Sequence, residues 1–384
     1  MIARIAWLRS CLMLAIALAC ARAANATVVV MSNRSAAAVP FSVSQSIERD
    51  GKSTPVSRKF NLGSGELLPI AVLPHIPISL DFESAGHPLH YNLEGDSTYY
   101  FANTTLGGVN LEQIGIPQVM QVESEVTAAT SAAHPRKRLP GLATIPVKLL
   151  VDDDERSSRD QWEPRVRKRL AAASKILEHV CRMRFEAVAV ETWDSDDKVN
   201  DFNQSLAEFE HEVLPAPGRL VIGFTSQYED TRGPTKLGGT RAAFYPYILL
   251  REWSKYYAEP ERLELLVHEL GHYLGAVHSP EPNSVMRPML GDKRSRLKAF
   301  QINFDPVNAL AMYLIGEEYR ARGNVRKLTE LTPVTRRKLF NIYSEINRAL
   351  PGDPAAEQYL MLLGDVSHLS EEMRRKLNTS PAAR

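Results

Sequence analysis

The chain has 384 residues, 44% of them hydrophobic, with a formal net charge of +1. That length allows two or three domains with cores of their own. The near-neutral balance excludes a global field suited to nucleic acid or an anionic membrane, and the composition excludes a fibrous or largely disordered chain.

The first stretch, MIARIAWLRSCLMLAIALACARAANA, sets Arg4 and Arg9 ahead of an apolar run, Cys11 to Cys20, followed by Ala21-Arg22-Ala23. A basic start, a short apolar core and a small-x-small site define a secretory signal peptide, residues 1–23, cut after Ala23. A membrane anchor is the competing reading, but the apolar core falls short of the ~20 residues a span needs. Lipoprotein processing at Cys20 is disfavoured, because Ala17 stands where such signals prefer Leu. No later segment is long and apolar enough to span, so the mature chain is expected to be soluble and secreted, or held in a bacterial periplasm or envelope. Cleavage leaves Cys181 as the one cysteine. It forms no internal disulfide, and its place at the end of an apolar stripe predicts an inert buried thiol.

Residues 24–121 read as short strands: ATVVVMSN, then VPFSVSQSI with Val39, Phe41 and Val43 on one side, then LLPIAVLPHIPISLDF and STYYFANTTL. The turn signals GSGE, SAGHP and EGD separate them, and a small β-sandwich is expected. Residues 122–144 are small, polar and proline-punctuated, a linker. Its run Arg136-Lys137-Arg138 reads as an exposed basic linker, with proteolytic processing as the alternative.

A second domain, 145–300, opens with the strand IPVKLLV and the helix EPRVRKRLAAASKILEHVC, with Val166, Leu170, Ala173, Leu177 and Val180 on one face. RFEAVAVETW is a strand, DDKVNDFNQSLAEFEHEVL a helix, GRLVIGF a buried strand, and TRAAFYP and YILLREW are further strands. The order is β-α-β-α-β-β-β-α. Residues 301–384 form a helical extension, whose helices start at Asp305-Pro306, Thr332-Pro333 and Asp353-Pro354, each a cap followed by proline. The tail after Ser367 is charged and expected to fray.

The segment LELLVHELGHYLGAVHSPEPNSVMRP carries the chemistry. Residues four apart on a helix stand above one another, so His268 and His272 present two imidazoles to one point. Leu263, Leu266, Val267, Leu270 and Leu274 occupy the neighbouring face. Gly275 ends the helix, since it takes positive φ without steric cost. Three residues later, His278 can return to the same point. Three nitrogen ligands suit Zn²⁺ at ~2.0–2.1 Å and leave a fourth position for water. Bound water there has a pKa of ~7, so Glu269, beside His268 but not a ligand, can take its proton as general base. Burying three imidazoles and a carboxylate without partners would be costly, which argues against a purely structural role.

His268, Glu269, His272, Gly275 and His278, followed by Ser284-Val285-Met286, resemble the metzincin clan of zinc endopeptidases. Ser279 and Pro288 resemble its matrixin branch rather than the astacin-like one. The resemblance covers roughly residues 145 to 300, and its sharp part is Val267 to Pro288. It implies an α+β fold with a mixed twisted sheet and an active-site helix, and makes Met286 the hydrophobic floor beneath the metal. It also makes TRAAFYP the edge strand that receives an extended peptide. Residues 24–144 hold no cysteine, so latency through a prodomain thiol on the zinc is unavailable. Calcium at the acidic run Asp152-Asp153-Asp154-Glu155 is an alternative to the ordinary reading of a solvated loop.

The expectation is an exported zinc endopeptidase acting on an extended polypeptide, with no nucleic-acid partner and no membrane span in the mature chain. The alternatives are a zinc hydrolase of cell-wall or other amide bonds, and a catalytically silent surface module.

Overall fold

The computed structural model describes residues 27–49, 52–105, 107–115, 141–199, 201–227, 237–252, 257–298 and 300–364. The signal peptide, the basic run of the linker and the tail after Ser367 lie outside the described residues.

Eight strands build the N-terminal region: β1 (Thr27–Asn33), β2 (Val39–Arg49), β3 (Lys52–Leu62), β4 (Leu67–Val72), β5 (Ile78–Ser84), β6 (His87–Leu93), β7 (Ser97–Asn103) and β8 (Val109–Ile114). They form two four-stranded sheets, ordered β4-β1-β7-β8 and β3-β2-β5-β6. The alternation along β2 turns Val39, Phe41 and Val43 inward, and Phe101 meets Phe41 at 5.3 Å and Phe82 at 5.1 Å between ring centroids. Strand β1 does not alternate, and all seven of its residues are buried. Val29 and Met31 enter the sandwich core, while Val28 and Val30 join the core of the second region. A strand covered on both faces needs a continuous apolar run, and TVVVM supplies it.

The second region contains β9 (Ala143–Asp152), α1 (Arg159–Cys181), β10 (Met183–Trp193), α2 (Phe202–Glu212), β11 (Leu220–Thr225), β12 (Gly238–Gly239), β13 (Tyr247–Arg251) and α3 (Glu259–Tyr273). Its sheet runs β10-β9-β11-β13-β12. The first four strands are parallel and β12 lies antiparallel on the edge. The α+β mixed sheet therefore stands, while the strand expected at TRAAFYP gives way in the order to Gly238–Gly239.

Three boundaries differ from expectation. Helix α1 starts four residues before Glu163, because the turn preceding Pro164 buries Trp162 against the core. Helix α2 starts at Phe202 rather than at Asp196, because Asp201 caps it, accepting from the Asn203 and Gln204 amides. Residues 240–246 are not a strand. Phe244 has φ of 60° and donates its amide to Tyr273 O at 2.8 Å, and its buried ring packs against Tyr273 and Tyr319. The apolar spacing of TRAAFYP thus reports a turn pinned by one aromatic, and the sheet edge passes to Gly238–Gly239.

Helices α4 (Pro306–Arg322), α5 (Pro333–Ala349) and α6 (Pro354–Leu363) follow. Asp305, Thr332 and Asp353 cap them as expected. They share a single core with α3: Leu266, Leu270 and Leu274 cluster with Leu310, Ile315, Leu339, Tyr343 and Tyr359. The sandwich is fastened to the same body by a buried ion pair, Lys338 Nζ to Asp96 Oδ2 at 2.6 Å, and Asp96 also receives the Val28 amide at 2.9 Å. At the surface, Arg34 pairs with Glu281. Among the described residues no helix is long and apolar enough to cross a membrane.

Candidate metal centre

Helix α3 begins after extended Ala258, which offers no side-chain cap. Instead Glu261 reaches back and accepts the Ala258 amide at 2.8 Å, half of a capping box. Leu266, Val267 and Leu270 are fully buried, as is the later Leu274. At the other end Gly275 donates to His272 O at 3.0 Å and Ala276 to Gly271 O at 2.8 Å, a Schellman turn. Gly275 takes φ of +85°, and a Cβ there would stand 2.5 Å from Ile315 Cδ1 and 3.0 Å from Tyr343 Oη. Glycine is required at this corner twice, once by the backbone and once by the packing.

The turn brings His278 to the two helical histidines. One nitrogen from each of His268, His272 and His278 lies within 4.8 Å of the others. The second nitrogen of each ring is committed elsewhere. His268 Nδ1 faces Val285 O at 2.8 Å, His272 Nδ1 faces Ala276 O at 2.9 Å and His278 Nδ1 faces Asp353 Oδ1 at 2.6 Å. Carbonyl and carboxylate oxygens only accept, so each Nδ1 carries a hydrogen, and on a neutral ring so held the Nε2 keeps its lone pair. Burial pushes His268 down to about 4, helped by His278 and Arg287, and burial with its two histidine neighbours holds His272 well below its ordinary value. Neutral, inward lone pairs with His268 and His272 Nε2 atoms 3.1 Å apart repel one another unless a cation lies between them. The donor set fits a divalent metal of the zinc type.

The surroundings hold this arrangement rigid. Met286 is fully buried, and its Sδ lies so close beneath Gly271 that a Cβ there would stand 2.8 Å away. Ser284 Oγ accepts the Met286 amide at 3.0 Å and donates to Asp305 Oδ2 at 2.9 Å. Asn308 clamps the Val277 amide and carbonyl, each at 2.9 Å. Asp353 is buried, which alone would raise its carboxyl, but bonds from His278 and the Ala356 amide outweigh this and hold it below the usual carboxylate range. Glu269 is buried and lies against the edge strand: a Cβ on Gly238 would stand 2.9 Å from its Oε1.

The residues singled out in the sequence thus converge: His268, His272 and His278 at one point, Gly275 at the turn, Met286 below and Glu269 beside the sheet edge. Asp305, Asn308 and Asp353 were not singled out for this site. The two aspartates are legible as helix caps, and that signal conceals their second contacts. Of the other histidines, His90 pairs with Asp81 at 2.6 Å on the surface and His179 faces Leu67 O at 2.6 Å. His134 and His368 lie outside the described residues. Among the described residues the His268 trio is the one cluster of histidine, cysteine or acidic side chains with ligand spacing.

A helix and a tight loop thus bring three histidine nitrogens together beside a carboxylate, under the edge of a mixed sheet, a set that could hold a metal ion. Residues 155–313 match the family model described as matrixin. No curated protein matches the chain. Among solved structures, it is similar to an archaemetzincin from Methanopyrus kandleri, with 17% identity over 45% of this chain and 95% of that one and a TM-score of 0.33. It is also similar to metalloproteinase-II from Bacteroides fragilis, with 12% identity over 74% of this chain and 98% of that one and a TM-score of 0.32.

Proposed function

We propose that the chain is an exported zinc endopeptidase, with a catalytic domain at 145–300 between the sandwich and the helical extension. One observation carries the reading: one nitrogen from each of His268, His272 and His278 lies within 4.8 Å of the others, and each Nδ1 faces an oxygen acceptor. His268, His272 and His278 would hold Zn²⁺, which when bound supplies an acidified water and a Lewis acid for the scissile carbonyl.

The other parts of the reaction fall to the chain itself. An extended peptide would pair as an added strand along the edge strand Gly238–Gly239. Glu269, beside that edge, takes the proton of the attacking water on a carboxylate oxygen and passes it to the leaving amine, base first and acid second. The N-terminal sequence, with its basic start and Ala-x-Ala site, supports export to an envelope or extracellular compartment.

The test is a digest of a peptide library by the wild type and by Glu269→Ala, with bound zinc measured in both. Cleavage by the wild type alone, at equal zinc content, is expected. Full activity in the variant would remove Glu269 from its role. Parallel digests of casein and peptidoglycan separate proteolysis from attack on cell-wall amides.

A further inference from the structure

We propose that Asp353 is the positioning residue for the third metal ligand, which makes the α5–α6 hairpin a built part of the metal centre. The inference rests on the reading of the three histidines as zinc ligands and names what that reading leaves open: how a ligand on a loop is held.

His268 and His272 stand on a helix, and their Nδ1 hydrogens go to backbone carbonyls one turn or one loop away. His278 has neither support. It follows the Schellman turn, outside any helix, and its side chain is 27% exposed. What fixes its ring is Asp353 Oδ1 at 2.6 Å, from a residue 75 positions later in the chain. That carboxylate is itself immobilised. Its side chain is 1% exposed, and its second oxygen accepts the Ala356 amide at 2.8 Å as the cap of α6. The hairpin that carries it is pinned to the same corner, because Tyr343 donates to Gly275 O at 2.6 Å and packs its ring 5.2 Å from that of Tyr359. Residues 155–313, the matrixin match, stop short of α5 and α6, so this support comes from outside the matched domain.

A carboxylate does more at this place than a carbonyl. It fixes the Nδ1–H tautomer, sets the ring plane, and raises the basicity of the Nε2 lone pair that meets the metal. Loss of such a partner costs about 10–100-fold in metal affinity. Asp353→Ser separates this role from the capping role: serine is a good N-cap but is too short to reach His278. Asp353→Asn provides a second variant. Its single side-chain oxygen cannot serve both His278 and Ala356, and an amide NH₂ turned to the ring would move the proton to Nε2.

Zinc affinity of the full chain is measured by chelator competition, alongside the visible spectrum of the Co²⁺ form and the urea midpoint of the metal-free protein. For Asp353→Ser we expect about 10–100-fold weaker zinc binding, a changed Co²⁺ spectrum and an unchanged urea midpoint. Asp353→Asn should lose at least as much affinity. His90→Ala, which breaks the exposed Asp81–His90 pair, should bind zinc as the wild type does. Wild-type zinc affinity and an unaltered Co²⁺ spectrum in both Asp353 variants would overturn the proposal. A wild type that binds no zinc would instead overturn the metal reading itself, and this inference with it.

Discussion

His272 Nε2 lies 3.1 Å from His268 Nε2, and neither nitrogen carries a hydrogen, because each ring donates from Nδ1 to a carbonyl. Two lone pairs held that close store repulsion that a cation relieves. Zinc should therefore raise the stability of the metal-free protein, by about 2.7 kcal/mol at a free concentration of 100 times the dissociation constant. Calorimetry with and without zinc reads this directly, and an unmoved melting temperature would remove the metal from the site.

Glu269→Gln should keep the fold and the zinc but lower peptide hydrolysis by roughly 10²–10⁴-fold, the usual worth of a positioned acid–base group. Steady-state rates paired with metal analysis check it; a variant that loses its zinc would point to a structural role for the carboxylate.

Gly275→Ala should be damaging well beyond an ordinary surface change. The backbone there is at φ of +85° and the added Cβ would stand 2.5 Å from Ile315 Cδ1. Positive φ and overpacking together should cost about 2–4 kcal/mol in urea unfolding, and zinc affinity should fall as the Schellman turn that delivers His278 is disturbed.

Asp152 supplies a pH dependence. Burial, with Asp154 and Asp153 nearby, raises its carboxyl from 3.8 to about 7 against the bonds from Thr225 and the Ser226 amide. A group raised on folding holds its proton longer in the folded state, so its contribution is fully present below pH ~4 and is lost as pH rises toward ~7, at about 1.4 kcal/mol per unit. Asp152→Asn should therefore gain on the wild type between pH 5 and pH 8. Urea midpoints at the two values test this, and a constant difference would refute it.

Lys338→Met should be among the most destabilising single changes. It strands Asp96, whose side chain is 4% exposed, and removing one partner of a buried ion pair costs about 3–5 kcal/mol. Chemical denaturation measures it; a loss below 1 kcal/mol would mean that water reaches the pair.

Most of the centre was legible because its parts are close in sequence. His268 and His272 are fixed by helical period, Gly275 by the need for a left-handed corner, and His278 and Met286 by the short span that follows. Alternation and β-branched runs marked β1, β2, β4, β5 and β7 but not β3, β6 or β8, and cap-proline pairs marked the three C-terminal helices. Spacing is silent about partners far apart in the chain. Asp353 advertises only the cap it makes three residues on, not the imidazole 75 residues back. Phe244 shows the same limit in reverse: one buried aromatic in a turn imitates the alternation of a strand, and the true edge, two glycines, carries no apolar signal. The double burial of β1 was visible as an unbroken run of valines, but not what lay against its outer face.

That outer face bears on maturation. With Val28 and Val30 in the core of the second region and Asp96 paired with Lys338, cutting the chain at Arg136-Lys137-Arg138 should not by itself release the N-terminal module. A nick there would yield two polypeptides that stay clamped together and co-purify until denatured, so any zymogen control in this molecule would have to work with the module still in place.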